Sequence, residues 1–518
     1  MKNKLPLLCL IFIILLAAFL RLYKIADYMT FLGDEGRDVL VAKDILQGHF
    51  TLLGPRASAG DFFLGPVYYY LIAPWLLLFN YDPVGPAVMV ALFGAATVWF
   101  TYYVGKKWFN QTTGLLAAAL YAFSPLVITY SHSSWNPDVV PFFALLMMFL
   151  LYKGFTTQKS DRYFWAVGLL LGILLQLHYL SLFLAVVVAF YTFFAQWIVD
   201  KKFKIVLTTK RYLEIFVGFL IGFSPFLAFE ARHGFPNIRT IISFIFSDVA
   251  GKTPEAHLSY SAIVSDVFFR VFARLVFAFP GIDKIHLLSS LQVQFFSWFT
   301  MILAIVALIV LWFVKNKLVV LLTALWLFVS VLLFGFYKKP IYDYYFVILF
   351  PLPFLIIANL FSNIFVFGKN KVQRIMAVSF GVLLFLGIVL YNIFWLPFWA
   401  LPNRQKEQAK MIAEFVISKT DNKLYNFALM SKGNSDQEYR YFLEILHHDP
   451  VTIQNTIDDP QRKTVTDQLL IVCEDPQCHP LGYPLFDVAG FGRAEVAGEW
   501  KVSVVRVFKL VHYQNKKP

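Results

Sequence analysis

At 518 residues, 59% hydrophobic and 15% charged, with a mean hydropathy of +0.64, the chain is too apolar for a soluble globule and reads as a polytopic membrane protein. Its 57 Phe and 26 Tyr suit a lipid-facing surface with aromatic belts at the edges. A net charge of +13 would suggest nucleic acid in a soluble protein, but here the basic residues fall in short loops between apolar runs, where they act as topology signals and anionic-lipid contacts. No nucleic-acid partner is expected.

In chain order, Lys2 and Lys4 precede an apolar run at 5–23 that lacks a small-residue cleavage site and continues into Arg21 and Tyr23. It reads as an uncleaved first span rather than a signal peptide. Next comes Phe31-Leu32-Gly33-Asp34-Glu35-Gly36-Arg37-Asp38, with three acids and an arginine in five positions. Ionisable groups at a membrane edge are costly, so they mark a candidate site. Further apolar segments fall at 84–104, 113–131, 139–152, 163–180, 181–199, 212–229, 295–314, 318–336, 344–362 and 375–396. With 5–23 they predict about eleven transmembrane helices. A twelfth stretch, Pro66 to Asn80, is short and interrupted by Pro74.

Charge decides whether 66–80 crosses. If it does not, the basic runs Lys106-Lys107, Lys153 to Arg162, Lys201 to Arg211, Lys315 to Lys317 and Lys369 to Arg374 all lie inside, with Asp161 and Asp200 their only acids. If it crosses, every later loop flips and most of these charges face outward. The segment is therefore expected to be interfacial or re-entrant. The same parity places the loop 24–83, the short loop 131–138, the long loop 230–294 and everything after Trp399 on one outer side.

The tail changes composition abruptly, which divides the chain into a membrane domain at 1–400 and an extracytoplasmic α/β domain at 401–518. In the tail, 404–419 predicts an amphipathic helix and 438–447 a second one, with strands at 424–429, 468–473 and 502–511. Cys473 and Cys478 either pair or stay free thiols, and the Cys473 to His479 cluster lacks a second group of ligands for a metal. No internal repeat is evident.

Four groups of residues could carry chemistry. Asp34 and Glu35 diverge by about 100° on a helix, so one can face a reacting group while the other holds the loop. Arg37, one turn after Asp34, could orient that acid or contact a phosphate. Ser131-His132-Ser133-Ser134-Trp135-Asn136-Pro137-Asp138 is a polar, aromatic stretch between two spans, on the same side as Asp34. There Asp138 either caps a helix or joins the site. Tyr337-Lys338-Lys339-Pro340-Ile341-Tyr342-Asp343-Tyr344-Tyr345 places two lysines outward against the charge rule, as an anion such as a lipid phosphate would require. Gln176, His178 and Tyr179 end another span on that side.

In this order the pieces resemble the GT-C superfamily of glycosyltransferases, in the branch of the protein O-mannosyltransferases and the lipid A aminoarabinose transferase. The resemblance runs from Phe31-Leu32-Gly33-Asp34-Glu35 through Leu46-Gln47-Gly48 to Gly65-Pro66-Val67-Tyr68-Tyr69-Tyr70. It resumes from Ser124-Pro125 to Asp138 and from Tyr342 to Pro351. It implies that Asp34 is the catalytic acid, that Asp138 supports it, and that interfacial helices lie in the first outer loop. The donor would be a polyprenyl-phosphate sugar at the outer face of the cell membrane, and the acceptor a hydroxyl on protein, lipid or envelope glycan. The aminoarabinose transferase has an acid and a lysine just before its proline, where this chain has Leu64 and Gly65 before Pro66. The phosphate contact then falls to Lys338, Lys339, Arg37 or Arg56, and an amino-sugar donor is not implied. The Trp-Trp-Asp motif of oligosaccharyltransferases is absent.

Mechanistically, one displacement with inversion suffices, with a carboxylate taking the acceptor proton and basic groups meeting the departing phosphate. Asp34, Glu35 and Asp138 are the catalytic candidates. His132, Trp135, Asn136, His178, Tyr179, Tyr342 and Tyr345 are the substrate-binding ones. No obligatory metal is expected, since no acidic triad with metal spacing is evident, though Asp34 with Asp138 could recruit one. A flippase or transporter without covalent chemistry is the competing reading, and it predicts charges inside spans and repeat symmetry. A scaffold displaying the tail is another.

Overall fold

The computed structural model describes residues 4–57, 60–157, 161–202, 204–246, 258–281, 284–337, 339–475 and 477–514. It divides into two compact units. The first comprises 1–23, 50–71 and 88–401; the second comprises 24–49, 72–87 and 402–518.

The described residues of the first unit are mainly helical, with one isolated antiparallel bridge between Arg56 and Phe63. Among the described residues, seven single helices are long and apolar enough to cross a membrane: Leu5–Leu22, Val84–Trp108, Asn136–Thr156, Tyr179–Asp200, Ser290–Trp312, Lys317–Phe334 and Lys371–Phe394. Ile205–Gly222 with Ser224–His233 makes an eighth, bent by 72°. The other expected segments are helical but shorter or broken, as Asp161–Leu177, as Gln111–Phe123 followed by Pro125–Tyr130, and as Pro351–Ile364. Pro125 has no N–H for the Tyr121 carbonyl, which breaks the helix there. Arg21, fully buried, donates from Nη2 to Tyr121 O at 3.2 Å and from Nη1 to Ala122 O at 3.3 Å, so the freed carbonyls keep a partner in an apolar surrounding.

Small residues set the closest helix packing. Gly168 and Gly172 face Gly218 and Gly222, two small-xxx-small pairs. A Cβ on Gly168 would fall 1.9 Å from Ile215 O, and one on Gly222 would fall 2.2 Å from Leu169 O. Val67–Leu78 is a 12-residue apolar helix with Pro74 inside, too short to cross a bilayer of about 30 Å.

The second unit contains a four-stranded sheet in the order β1-β2-β4-β3, with β1 Asn426–Met430, β2 Gln468–Cys473, β3 Ala494–Val502 and β4 Val505–His512. β1 and β2 are parallel; β2–β4 and β3–β4 are antiparallel. β1 and β2 are buried throughout, as their unbroken apolar runs require. Ala428, Leu469, Ile471, Phe508 and Leu510 form the core with Phe491 and Val488. Cys473 and Cys478 are joined to each other in a disulfide.

The helices at Gln405–Ser418 and Gln437–Ile445 match the sequence expectation, but β3 and the short helix Phe486–Phe491 went unread. β3 is a mostly exposed edge strand, irregular at Val496/Gly498, so no apolar alternation announces it.

The sequence put one boundary near residue 400. The second unit also takes in 24–49 and 72–87, because specific contacts tie those segments to the tail. Arg404 N donates to Asp27 O at 2.9 Å, Lys406 Nζ meets Asp82 at 3.0 Å, and Tyr441 hydroxyl donates to Tyr81 O.

Candidate active site

The acid motif opens the helix Gly33–Leu46, which rests on the tail helix Gln437–Ile445. Two glycines make that contact. A Cβ on Gly36 would sit 2.3 Å from Glu438 N, and one on Gly33 would sit 2.0 Å from Ser435 Oγ. Phe31 packs edge-on against Phe442, with ring centroids 5.5 Å apart, and Lys43 pairs with Glu444. The spacing Gly33-Asp34-Glu35-Gly36 therefore presses both glycines to the tail.

The acids of this helix differ in environment. Asp34 is half exposed, and its Oδ1 accepts from Arg37 Nη1 at 2.7 Å. Arg37 Nη2 also donates to Asp38 Oδ1, again at 2.7 Å, so one guanidinium spans two carboxylates. Asp38, among the loop acids but not read as a site residue from sequence, is fully buried. Burial pushes its carboxyl up to about 7, while Arg37 pulls it back. Its Oδ2 meets no hydrogen-bond donor among the described residues.

Glu35 is also buried and turns back along the chain, where its Oε2 accepts from Leu32 N at 3.0 Å. Burial raises its carboxyl to about 8, against the pull of the Leu32 amide. Burial thus favours the protonated form of Glu35, whose bond to Leu32 N holds the helix start. Of the adjacent pair, Asp34 alone offers an accessible carboxylate.

The first unit gathers the remaining candidates. The rings of Trp135 and Tyr344 lie 4.4 Å apart, His178 stacks on Tyr179 at 4.9 Å, and His178 and Tyr345 are 5.6 Å apart. The Tyr179 and Tyr337 hydroxyls bond at 2.8 Å, and Tyr337 donates to Tyr345 at 3.4 Å. Tyr342 stacks on Tyr344 and is more than half exposed. Residues scattered over more than 200 positions thus form one aromatic, hydroxyl-rich cluster.

Two arginines hold that loop, and sequence reading passed over both. Asp343 Oδ1 meets Arg270 Nη2 at 2.6 Å and Asp343 Oδ2 meets Arg274 Nη2 at 2.7 Å, while Arg270 also donates to Ile341 O at 2.8 Å. Their spacing of four on the Tyr260–Ala273 helix, continued by Arg274, was the available signal.

Other candidates are engaged locally. His132 is buried, with Nδ1 on Ile128 O at 2.8 Å and its ring against Phe398. Asn136 donates to Leu177 O. Asp138 is buried in the turn Asn136–Val139 that starts the next span. Arg56 lies on an exposed hairpin and pairs with Asp61. Lys339 is half-buried, and Lys338 lies outside the described residues. Among the described residues no group of three or more His, Cys, Asp or Glu side chains is arranged to hold a metal.

Comparison with solved structures assigns the architecture. ArnT from Cupriavidus metallidurans, solved bound to undecaprenyl phosphate, superposes with a TM-score of 0.59 at 12% identity, over 98% of this chain and 98% of that one. The chain has the GT-C glycosyltransferase fold. The oligosaccharyltransferase of Archaeoglobus fulgidus in its apo form gives a TM-score of 0.54 at 13% identity, over 87% of this chain. The chain spans 65% of that protein's length. AglB from the same organism, with an inhibitory peptide and a dolichol-phosphate, gives 0.54 at 12% identity, over 91% and 69% of the two chains. Residues 64–229 match the family model of dolichyl-phosphate-mannose-protein mannosyltransferase. No curated protein sequence matches the chain.

Proposed function

We propose that this GT-C protein moves a sugar from a polyprenyl-phosphate donor to a hydroxyl acceptor, with inversion, at the outer face of the cell membrane. The observation that carries the reading is Asp34: a half-exposed carboxylate on the first turn of a packed helix, held by Arg37. The lipid phosphates bound to ArnT and AglB, and the mannosyltransferase family model, support the donor class.

In the proposed step the acceptor oxygen forms a bond to the anomeric carbon as the bond from that carbon to the phosphate oxygen breaks. The electron pair leaves with the polyprenyl phosphate, and the acceptor proton passes to Asp34. Glu35 fixes the helix start through Leu32 N, and Asp138 supports the site. Lys338 and Lys339 are the proposed contacts of the leaving phosphate, since Arg37 is committed to Asp34 and Asp38. The aromatic cluster of Trp135, His178, Tyr179, Tyr342 and Tyr345 offers ring faces and hydroxyls to a sugar.

The test uses the full chain in lipid nanodiscs with undecaprenyl-phosphate mannose as the probe donor and delipidated cell envelope as acceptor, reading released undecaprenyl phosphate. Asp34→Asn should lower turnover by about 10²–10⁴-fold, the usual worth of general acid–base catalysis. Glu35→Gln should cost less. Parent-rate turnover by Asp34→Asn would remove it as the base.

A further inference from the structure

The helix carrying Asp34 begins without a cap of its own. The first amides of a helix lack intrahelical partners, and a Ser, Thr, Asp or Asn just before the helix usually supplies an acceptor. Here that position is Leu32, whose side chain accepts nothing, although Leu32 N is satisfied by Glu35. The Gly33 amide bonds instead to Asn434 Oδ1 at 2.9 Å, a residue 401 positions away in the tail.

Asn434 is itself fixed from both sides. Its Nδ2 donates to Glu438 Oε1 at 2.6 Å and to Glu474 Oε1 at 3.0 Å. Its Oδ1 accepts from Ser435 N as well as from Gly33 N. Two acceptors on one end and two donors on the other leave a single amide orientation. Glu474 directly follows β2 and also accepts from the Tyr439 hydroxyl at 2.8 Å. A continuous path therefore runs from the buried strand through Glu474 and Asn434 to Gly33, the residue before Asp34. The contacts at Gly33 and Gly36 leave no room for even a methyl group between helix and tail.

We propose that Asn434 is a positioning residue for the transfer reaction: it caps the acid helix from the tail and thereby sets where Asp34 stands. This rests on the reading of Asp34 as the base. The tail then belongs to the transfer machinery and is more than an appended module. A reacting carboxylate must be held to within about 0.5 Å by groups that are themselves locked. A cap borrowed from the sheet provides that, because the helix cannot shift without breaking a bond to the tail.

The experiment uses the full chain in nanodiscs with four forms: parent, Asn434→Ala, Asn434→Ala with Leu32→Ser, and Asp34→Asn. Hydrogen exchange, which needs no substrate, is read at residues 33–37 and at β2. Turnover is read with undecaprenyl-phosphate mannose. Asn434→Ala should speed exchange at 33–37 about tenfold, the usual worth of a cap, and leave β2 protected. kcat should fall by a similar factor with KM unchanged. Leu32→Ser supplies a cap within the helix and should recover several-fold of both losses.

Unchanged exchange at 33–37, equal acceleration in β2, an unchanged kcat or no recovery with Leu32→Ser would each overturn the proposal. Should Asn434→Ala fail to fold, Asn434→Ser keeps a donor for the glutamates but cannot reach Gly33, and it carries the same expectations. Parent-rate turnover by Asp34→Asn would refute the base alone, while the exchange arm still decides the cap. An inactive Asp34→Asn beside a fully active Asn434→Ala would refute the positioning role alone.

Discussion

Gly36→Ala separates packing from propensity. Alanine favours a helix over glycine by about 1 kcal/mol. With no other effect, the substitution inside Gly33–Leu46 would therefore stabilise the protein. The structure predicts the opposite sign. The new Cβ would lie 2.3 Å from Glu438 N and 2.5 Å from both Gln437 C and Glu438 Cα. All three are backbone atoms of a helix start, so no side chain can rotate aside. Ordinary carbon contacts need about 3.5–4.0 Å, so the acid helix must back away from its seat by more than about 1 Å.

That movement strains the Gly33–Asn434 bond, the Lys43–Glu444 pair and the Phe31 ring contacts. Overpacking of this kind costs about 1–3 kcal/mol, which leaves a net loss of up to about 2 kcal/mol after the propensity gain. Gly387→Ala is the matched control. It lies inside the helix Lys371–Phe394 with no atom within 4 Å of its added Cβ, so only the propensity gain remains. Thermal unfolding of both variants in the same detergent, followed by intrinsic fluorescence, should move the second unit's transition down for Gly36→Ala. Gly387→Ala should leave that transition in place and raise the first unit's. A rise for Gly36→Ala would refute the close seating of the acid helix.

Burial raises the Glu35 carboxyl to about 8, so the folded chain holds that proton more tightly than the unfolded chain does. The resulting stability is full below about pH 4 and is lost as pH rises through about 8. The second unit should melt higher at pH 6 than at pH 9, and Glu35→Gln should flatten that difference; an unaltered slope in the variant would contradict it. Asp343→Ala should cost about 2 kcal/mol, because it strands two guanidiniums that are each about one-fifth exposed, with Asp343→Asn costing less. An unchanged unfolding midpoint would show that the pairs do not hold the loop. A reporter enzyme fused after Trp399 should be active only outside the cytoplasm, and activity inside would overturn the charge-based orientation.

The local content of this chain was legible because it is periodic or compositional. Apolar runs of membrane length marked the spans, the charge count argued against a crossing at 66–80, where the helix Val67–Leu78 is short, and β1 and β2 showed as short apolar runs. Asp34 and Glu35 stood out because acids beside a membrane span are costly.

Which of the two presents an accessible carboxylate was decided by tertiary structure. Glu35 and Asp38 lie one and four residues from Asp34, yet burial raises both while Asp34 stays half exposed. The cap on Gly33 comes from Asn434, and the clamp on Asp343 comes from Arg270 and Arg274, about 70 positions earlier. Asn434 has no local signature, since an Asn in a polar loop reads as solvated, and the spacing of four between Arg270 and Arg274 marks a helix face without naming Asp343 as its partner. β3 was invisible for a related reason: its place rests on pairing with β4, and its own side chains are mostly exposed. Sequence fixes hydropathy and local geometry along the chain, whereas burial and pairing depend on which distant segment the chain folds against.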